Sequence, residues 1–231
     1  MAPGSLVRVA AAAAVVGFLT VSLWPVSGGV ARADARDVLI VCLGDSLTEG
    51  YGLAPEHAYP SLVERRLRVA GWSGVEVVNA GISGATSASG LSRLQWQLRR
   101  KPDVLVLALG ANDGLRGVDL ASTRKNLADT IDLALANDIE VVLAGMKLPP
   151  NYGSDYTAAF ERLFPELAAA KDVALIPFLL SGVAARADLN LPDGIHPNAK
   201  GYEIVAETVT RALLPVLEGL EPSVPADRNA A

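Results

Sequence analysis

From Asp37 to Leu220 the sequence repeats one pattern, a short and nearly uncharged run of Val, Ile and Leu followed by a longer amphipathic stretch. The apolar runs occupy 38–43, 75–79, 104–109, 139–144 and 173–176. Runs of this length and composition are expected of strands covered on both faces. The intervening stretches 59–70, 91–100, 120–137, 156–171 and 199–220 read as helices. In the third of these, Leu127, Ile131, Ala134 and Leu135 fall on one face and Arg124, Lys125, Asp129 and Asp132 elsewhere, which is helical spacing. Parallel neighbours in a sheet need a crossover connection, and a helix supplies it. The pattern therefore predicts an α/β fold, a three-layer α/β/α sandwich, as one domain over 34–220. No linker or solenoid-period repeat divides it.

A chain of 231 residues with 51% hydrophobic residues can bury a core of ordinary size. Its formal charge of −5 offers nothing to nucleic acid or to an anionic membrane surface. Cys42 is the single cysteine, which rules out an intramolecular disulfide, and two histidines, His57 and His196, argue against a multi-ligand metal site. Residues 1–33 read as a cleaved export signal: Arg8 flanks an apolar stretch over 9–24, and Ala31, Arg32 and Ala33 form the small-x-small pattern of a cleavage site. A retained anchor is the rival, but the stretch falls short of the roughly 20 residues that span a bilayer, and Pro25, Gly28 and Gly29 follow it. The expected mature protein starts at Asp34, is periplasmic or secreted, has no stable membrane anchor and is a monomer. The tail 221–231 reads as loose.

In an open parallel sheet, ligands bind beyond the carboxyl ends of the strands. Four segments stand at such places: Gly44-Asp45-Ser46-Leu47, Gly81-Ile82-Ser83-Gly84, Gly110-Ala111-Asn112-Asp113 and Asp193-Gly194-Ile195-His196-Pro197. Ser46 follows a buried strand and is a candidate nucleophile with a free backbone N–H; equally, Asp45 or Ser46 could serve only as a helix N-cap. A serine hydroxyl needs a base. His196 has Asp193 three residues before it, close enough in a turn to orient the ring, although the pair could simply bond locally while Asn198 caps the last helix. His57 lacks such an acid and reads as a surface residue, and Cys42 as inert packing. Gly84 could present a backbone N–H, and Asn112 a side-chain N–H, to an oxygen gaining charge; a turn glycine and an Asx turn are the plain alternatives.

Taken together and in this order, the four segments closely resemble the signature blocks of the SGNH hydrolases, the GDSL esterase/lipase family. The resemblance spans the mature chain. It implies a flavodoxin-like five-stranded parallel sheet of order 2-1-3-4-5, with Ser46 as nucleophile and first oxyanion donor. It also implies Gly84 and Asn112 as the other oxyanion donors, and Asp193 and His196 as acid and base. The phrases Asn112-Asp113-Gly114-Leu115-Arg116-Gly117 and Leu148-Pro149-Pro150-Asn151-Tyr152-Gly153 look like the exported thioesterase, lysophospholipase and arylesterase subgroup. Hydrolysis of small-molecule acyl esters or thioesters without a cofactor is then expected, with Leu115, Leu148 and Tyr152 lining an acyl groove. A carbohydrate or short-chain deacetylase is the alternative on the same fold. A phosphate-binding module built on Ser83-Gly84-Ala85-Thr86-Ser87 is the alternative from another class, but that loop has no basic residue.

Overall fold

In the computed structural model of this chain, the described residues are Met1 and 37–220. The expected export signal and tail lie outside them. Five strands form one parallel sheet: β1 Val38–Gly44, β2 Val75–Gly81, β3 Val104–Ala108, β4 Glu140–Ala144 and β5 Ala174–Ile176. Their order is β2-β1-β3-β4-β5, as the family resemblance implies. The helices are α1 Ser46–Glu49, α2 Tyr59–Val69, α3 Gly90–Gln97, α4 Ala111–Leu115, α5 Leu120–Leu135, α6 Ser154–Lys171 and α7 Ala199–Gly219. α2 packs against α7, and α5 lies between α3 and α6, so helices cover both sheet faces. Among the described residues, no helix is long and apolar enough to cross a membrane.

Burial follows strand position. Central β3 is buried throughout, as a continuous apolar run requires. The expectation that all five runs are covered on both faces fails at both edge strands: in β2 Val77 and Val78 are half-buried and Glu76 is exposed, and in β5 Ala174 and Leu175 are half-buried. The reason is topological, since the order 2-1-3-4-5 leaves β2 and β5 at the edges. In α5, Leu127, Ile131 and Ala134 are fully buried, but Leu135 is 39% exposed. It is the last residue of the helix, where the chain leaves for β4.

Register aligns the strand exits. Gly44 pairs with Gly81 on one side and with Ala108 on the other, so three chain segments leave the sheet at one level. Short helices begin almost at once after β1 and β3. Asp45 caps α1, its carboxylate accepting the Leu47 N–H at 3.0 Å. Asn198 caps α7, accepting from the N–H groups of Lys200 and Gly201. Both capping alternatives read from the sequence are therefore real, but they fall on Asp45 and Asn198 and leave Ser46 and His196 free for other contacts.

Candidate active site

Ser46 opens α1, and its Oγ lies 2.9 Å from His196 Nε2. His196 Nδ1 lies 2.8 Å from Asp193 Oδ2. With a carboxylate there, the proton belongs on Nδ1, which leaves Nε2 to accept the Ser46 hydroxyl; this tautomer is assigned from the bonding pattern. The loop holding the pair is well tied. Asp193 Oδ1 accepts the N–H groups of Ile195 and His196, both at 3.0 Å, and the His196 carbonyl accepts the Leu191 N–H at 2.7 Å. Burial alone would raise the Asp193 carboxyl, but those two N–H groups and the imidazole outweigh it and hold the group at about 2.

Gly84 and Asn112 come to the same edge. Gly84 has φ +75°, a left-handed backbone that disfavours any side chain, while an added Cβ would meet only the Arg116 guanidinium at 3.4 Å. Its glycine requirement is thus conformational rather than steric crowding. Asn112 Nδ2 donates to Asp45 Oδ2 at 3.2 Å and to the Ala85 carbonyl at 3.1 Å, which sets the orientation of the amide. Carboxylates brace the loop around Gly84 from both ends. Glu49 accepts the N–H and the hydroxyl of Ser83, and Asp113 accepts the N–H of Ser87 at 2.8 Å and its hydroxyl at 2.5 Å. Arg93 of α3 donates to the carbonyls of Gly44 and Ala80 beneath these loops.

A cavity of about 760 Å³ opens from this point. Asp45, Ser46, Ser83, Gly84, Asn112 and His196 form its polar end, and Leu115, Met146, Leu148, Pro149, Pro150, Phe178 and Leu180 supply apolar walls, with Ala184, Ala185 and Ile195. Leu115 and Leu148 are among its lining residues and Tyr152 is not. Its hydroxyl is turned to the Leu115 carbonyl at 3.1 Å, so it braces the loop that carries a lining residue. Met146, Phe178, Leu180 and the two alanines come from connections after β4 and β5 whose apolar residues resemble ordinary core in sequence. The sequence offers one overlooked signal, the contiguous run Gly50-Tyr51-Gly52 beside Ser46, since Tyr51 also lines the cavity. His57 is exposed. Cys42 is fully buried, and burial pushes its thiol up to about 12, which suits packing and not attack. Among the described residues, no group of three or more His, Cys, Asp or Glu is placed to hold a metal ion.

Asp45 is the unusual acid of the site. It is 1% exposed, and burial pushes its carboxyl up to about 6 against the pull of the Leu47 N–H, the Asn112 amide and nearby His196. A carboxyl raised by folding favours the folded state below its ordinary value near 4, and that advantage disappears as pH rises through about 6. The shift corresponds to about 2–3 kcal/mol. Asp45→Asn keeps the cap and removes the buried charge but turns its amide NH2 toward that of Asn112, so the pH-dependent part is the clean readout: relative to the wild type, its Tm is expected to stand about 5 °C higher at pH 8 than at pH 4. Scanning calorimetry at the two pH values checks this, and a Tm gap that does not depend on pH would contradict it.

Fold and site together define a class: flavodoxin-like α/β proteins in which a strand-exit serine, an imidazole and a carboxylate stand in line at the polar end of an apolar cavity. The chain belongs to the GDSL-like lipase/acylhydrolase family, which matches residues 42–204, and it is an enzyme of the esterase/thioesterase kind. Esterase TesA of Pseudomonas aeruginosa is 41% identical over 187 residues, covering 80% of this chain and 92% of that one. Thioesterase 1/protease 1/lysophospholipase L1 of Escherichia coli K12 is 37% identical, covering 80% and 88%. The crystal structure of the psychrotrophic esterase EstA from Pseudoalteromonas sp., inhibited by monoethylphosphonate, superposes with a TM-score of 0.74 at 31% identity, covering 79% of this chain and all of that one.

Proposed function

We propose that this enzyme cleaves carboxylic ester and thioester bonds of apolar acyl groups through an acyl-enzyme on Ser46. The observation that carries the proposal is the continuous line from Asp193 through His196 to Ser46 at the mouth of an apolar cavity. As Ser46 Oγ bonds to the acyl carbon, its proton passes to His196 Nε2 and the carbonyl electron pair moves onto oxygen. In this proposal that charge is met by the backbone N–H groups of Ser46 and Gly84 and by the Asn112 amide, which must exchange its bond to Asp45 or to the Ala85 carbonyl for one to the new oxyanion. Collapse breaks the bond to the alcohol or thiol, which leaves with the proton from the imidazolium. Water then attacks the acyl carbon as it gives a proton to His196 Nε2, and collapse breaks the Ser46 Oγ–acyl bond, returns that proton from the imidazolium to Oγ and releases the carboxylic acid. Asp193 keeps the imidazole in the tautomer that accepts.

The phosphate-module alternative fits poorly, because the N–H and hydroxyl groups of Ser83 and Ser87 are taken by Glu49 and Asp113 and an anion would meet those carboxylates there. An acetyl group would leave most of a 760 Å³ cavity unfilled, which favours longer acyl groups over the deacetylase alternative. A p-nitrophenyl ester series from acetyl to palmitoyl, with matched thioesters, tests the proposal. kcat/KM is expected to rise beyond acetyl. Turnover confined to acetyl would instead assign a deacetylase.

A further inference from the structure

We infer that Tyr51 is a positioning residue that acts through His196, covering one face of the imidazole and stabilising the positive charge it gains at each half-reaction; this rests on the role proposed for His196. The ring centroids are 4.5 Å apart and the planes are tilted by 35°, so the Tyr51 π face is presented to the imidazole rather than its edge alone. Both nitrogens of His196 are engaged in the ring plane, by Asp193 and Ser46, and only its faces remain open to a further partner. An aromatic face carries negative charge density and attracts a cation held over it, an attraction that is weaker for a neutral ring. The interaction therefore strengthens as the proton arrives from Ser46, which is what lowers a barrier.

The chain is built to hold Tyr51 there. Gly50 and Gly52 flank it at φ +89° and +77°, conformations that side chains disfavour, and the Tyr51 N–H donates to the Ser46 carbonyl at 3.1 Å. An added Cβ on Gly52 would lie 2.8 Å from Leu191 Cδ1, so this turn rests directly on the loop whose Leu191 N–H holds the His196 carbonyl. Tyr51 itself is 49% exposed, and no core packing accounts for its place.

The other charges near His196 are those of Asp193 on its own loop and Asp45 at the end of β1. Tyr202 of α7 lies near both acids, and burial together with their charges and that of Glu49 holds its phenol protonated. None of these groups changes when Tyr51 is replaced. Removing a ring that stabilises the imidazolium moves the acid limb of the kcat/KM profile to lower pH. A ring that only excludes water would act in the opposite sense.

The test compares wild type, Tyr51→Leu and Tyr51→Phe on one p-nitrophenyl ester from pH 4 to 9, with rates normalised to the fraction of Ser46 labelled by an organophosphonate. Tyr51→Leu is expected to lose about three- to tenfold in kcat, with KM changed less than twofold and the acid limb moved down by a few tenths of a pH unit. Tyr51→Phe, which restores the ring, is expected to recover both. An unchanged kcat in the leucine variant, a change confined to KM, or an acid limb moved to higher pH would overturn the inference. Failure of the wild type to hydrolyse the ester would instead overturn the hydrolase proposal, so the two failures are distinguishable.

Discussion

Ser46→Ala and His196→Ala are each expected to lower kcat by about 10⁵- to 10⁶-fold on a p-nitrophenyl ester, and the double variant to lose little more than either single one. The reason is geometric. The hydroxyl and the imidazole share a 2.9 Å hydrogen bond and, in the mechanism proposed, act in one proton transfer, so removing either partner removes the same step. On this proposal the residual rate belongs to the oxyanion donors and the apolar cavity, which neither substitution removes. Steady-state kinetics on the two single variants and the double variant measures this. Losses that multiplied in the double variant would show that the two residues act in separate steps, contrary to the mechanism.

Asp193→Asn is expected to cost about 10⁴-fold in kcat with the fold intact. One side-chain oxygen can still accept the N–H groups of Ile195 and His196, which keeps the loop closed. An amide in place of Oδ2 donates toward Nδ1, however, and this forces the ring proton onto Nε2, where it blocks acceptance from Ser46. The wild-type carboxyl is held at about 2, so it stays ionised across the working range. Because its value is depressed on folding, its contribution to holding the loop is present above the ordinary carboxylate range near 4 and fades as pH falls toward 2. Loss of rate above pH 4 therefore reports groups other than Asp193. Kinetics and thermal melts of the variant check this, and a rate within tenfold of wild type would remove Asp193 from the mechanism.

Much of this arrangement was legible in the sequence, because the strands announce themselves by short runs rich in Val, Ile and Leu and several of the exits by glycine. Ser46, Gly84, Asn112, Asp193 and His196 could all be singled out because each stands in a polar, glycine-bearing segment after or between apolar elements. The exposure of β2 was not legible, since a run such as 75–79 reads the same at an edge as at the centre and only strand order decides which it is. α4 was missed and α1 was legible only as a possible helix start, both being too short, at five and four residues, to show a helical period. Their effect is large, because they aim Ser46 and Asn112. The apolar walls were half legible: Leu115 and Leu148 sit in recognisable phrases, but Met146, Phe178 and Leu180 differ from core residues only in what lies across from them. Tyr152 reads as a wall and turns out to be a brace, a distinction that depends on where its hydroxyl points. Asp45 read as a cap, and its second duty toward Asn112 appears only when β1 and β3 are side by side.

The central claim is that Ser46 carries the acyl group, and covalent labelling tests it most directly. The chain is treated with an organophosphonate until ester turnover stops, digested, and the adduct located by mass spectrometry. One adduct per chain, on the peptide containing Ser46, with turnover lost in proportion to labelling, is the result predicted. An adduct at any other residue, or undiminished turnover in chains fully labelled at Ser46, would contradict it.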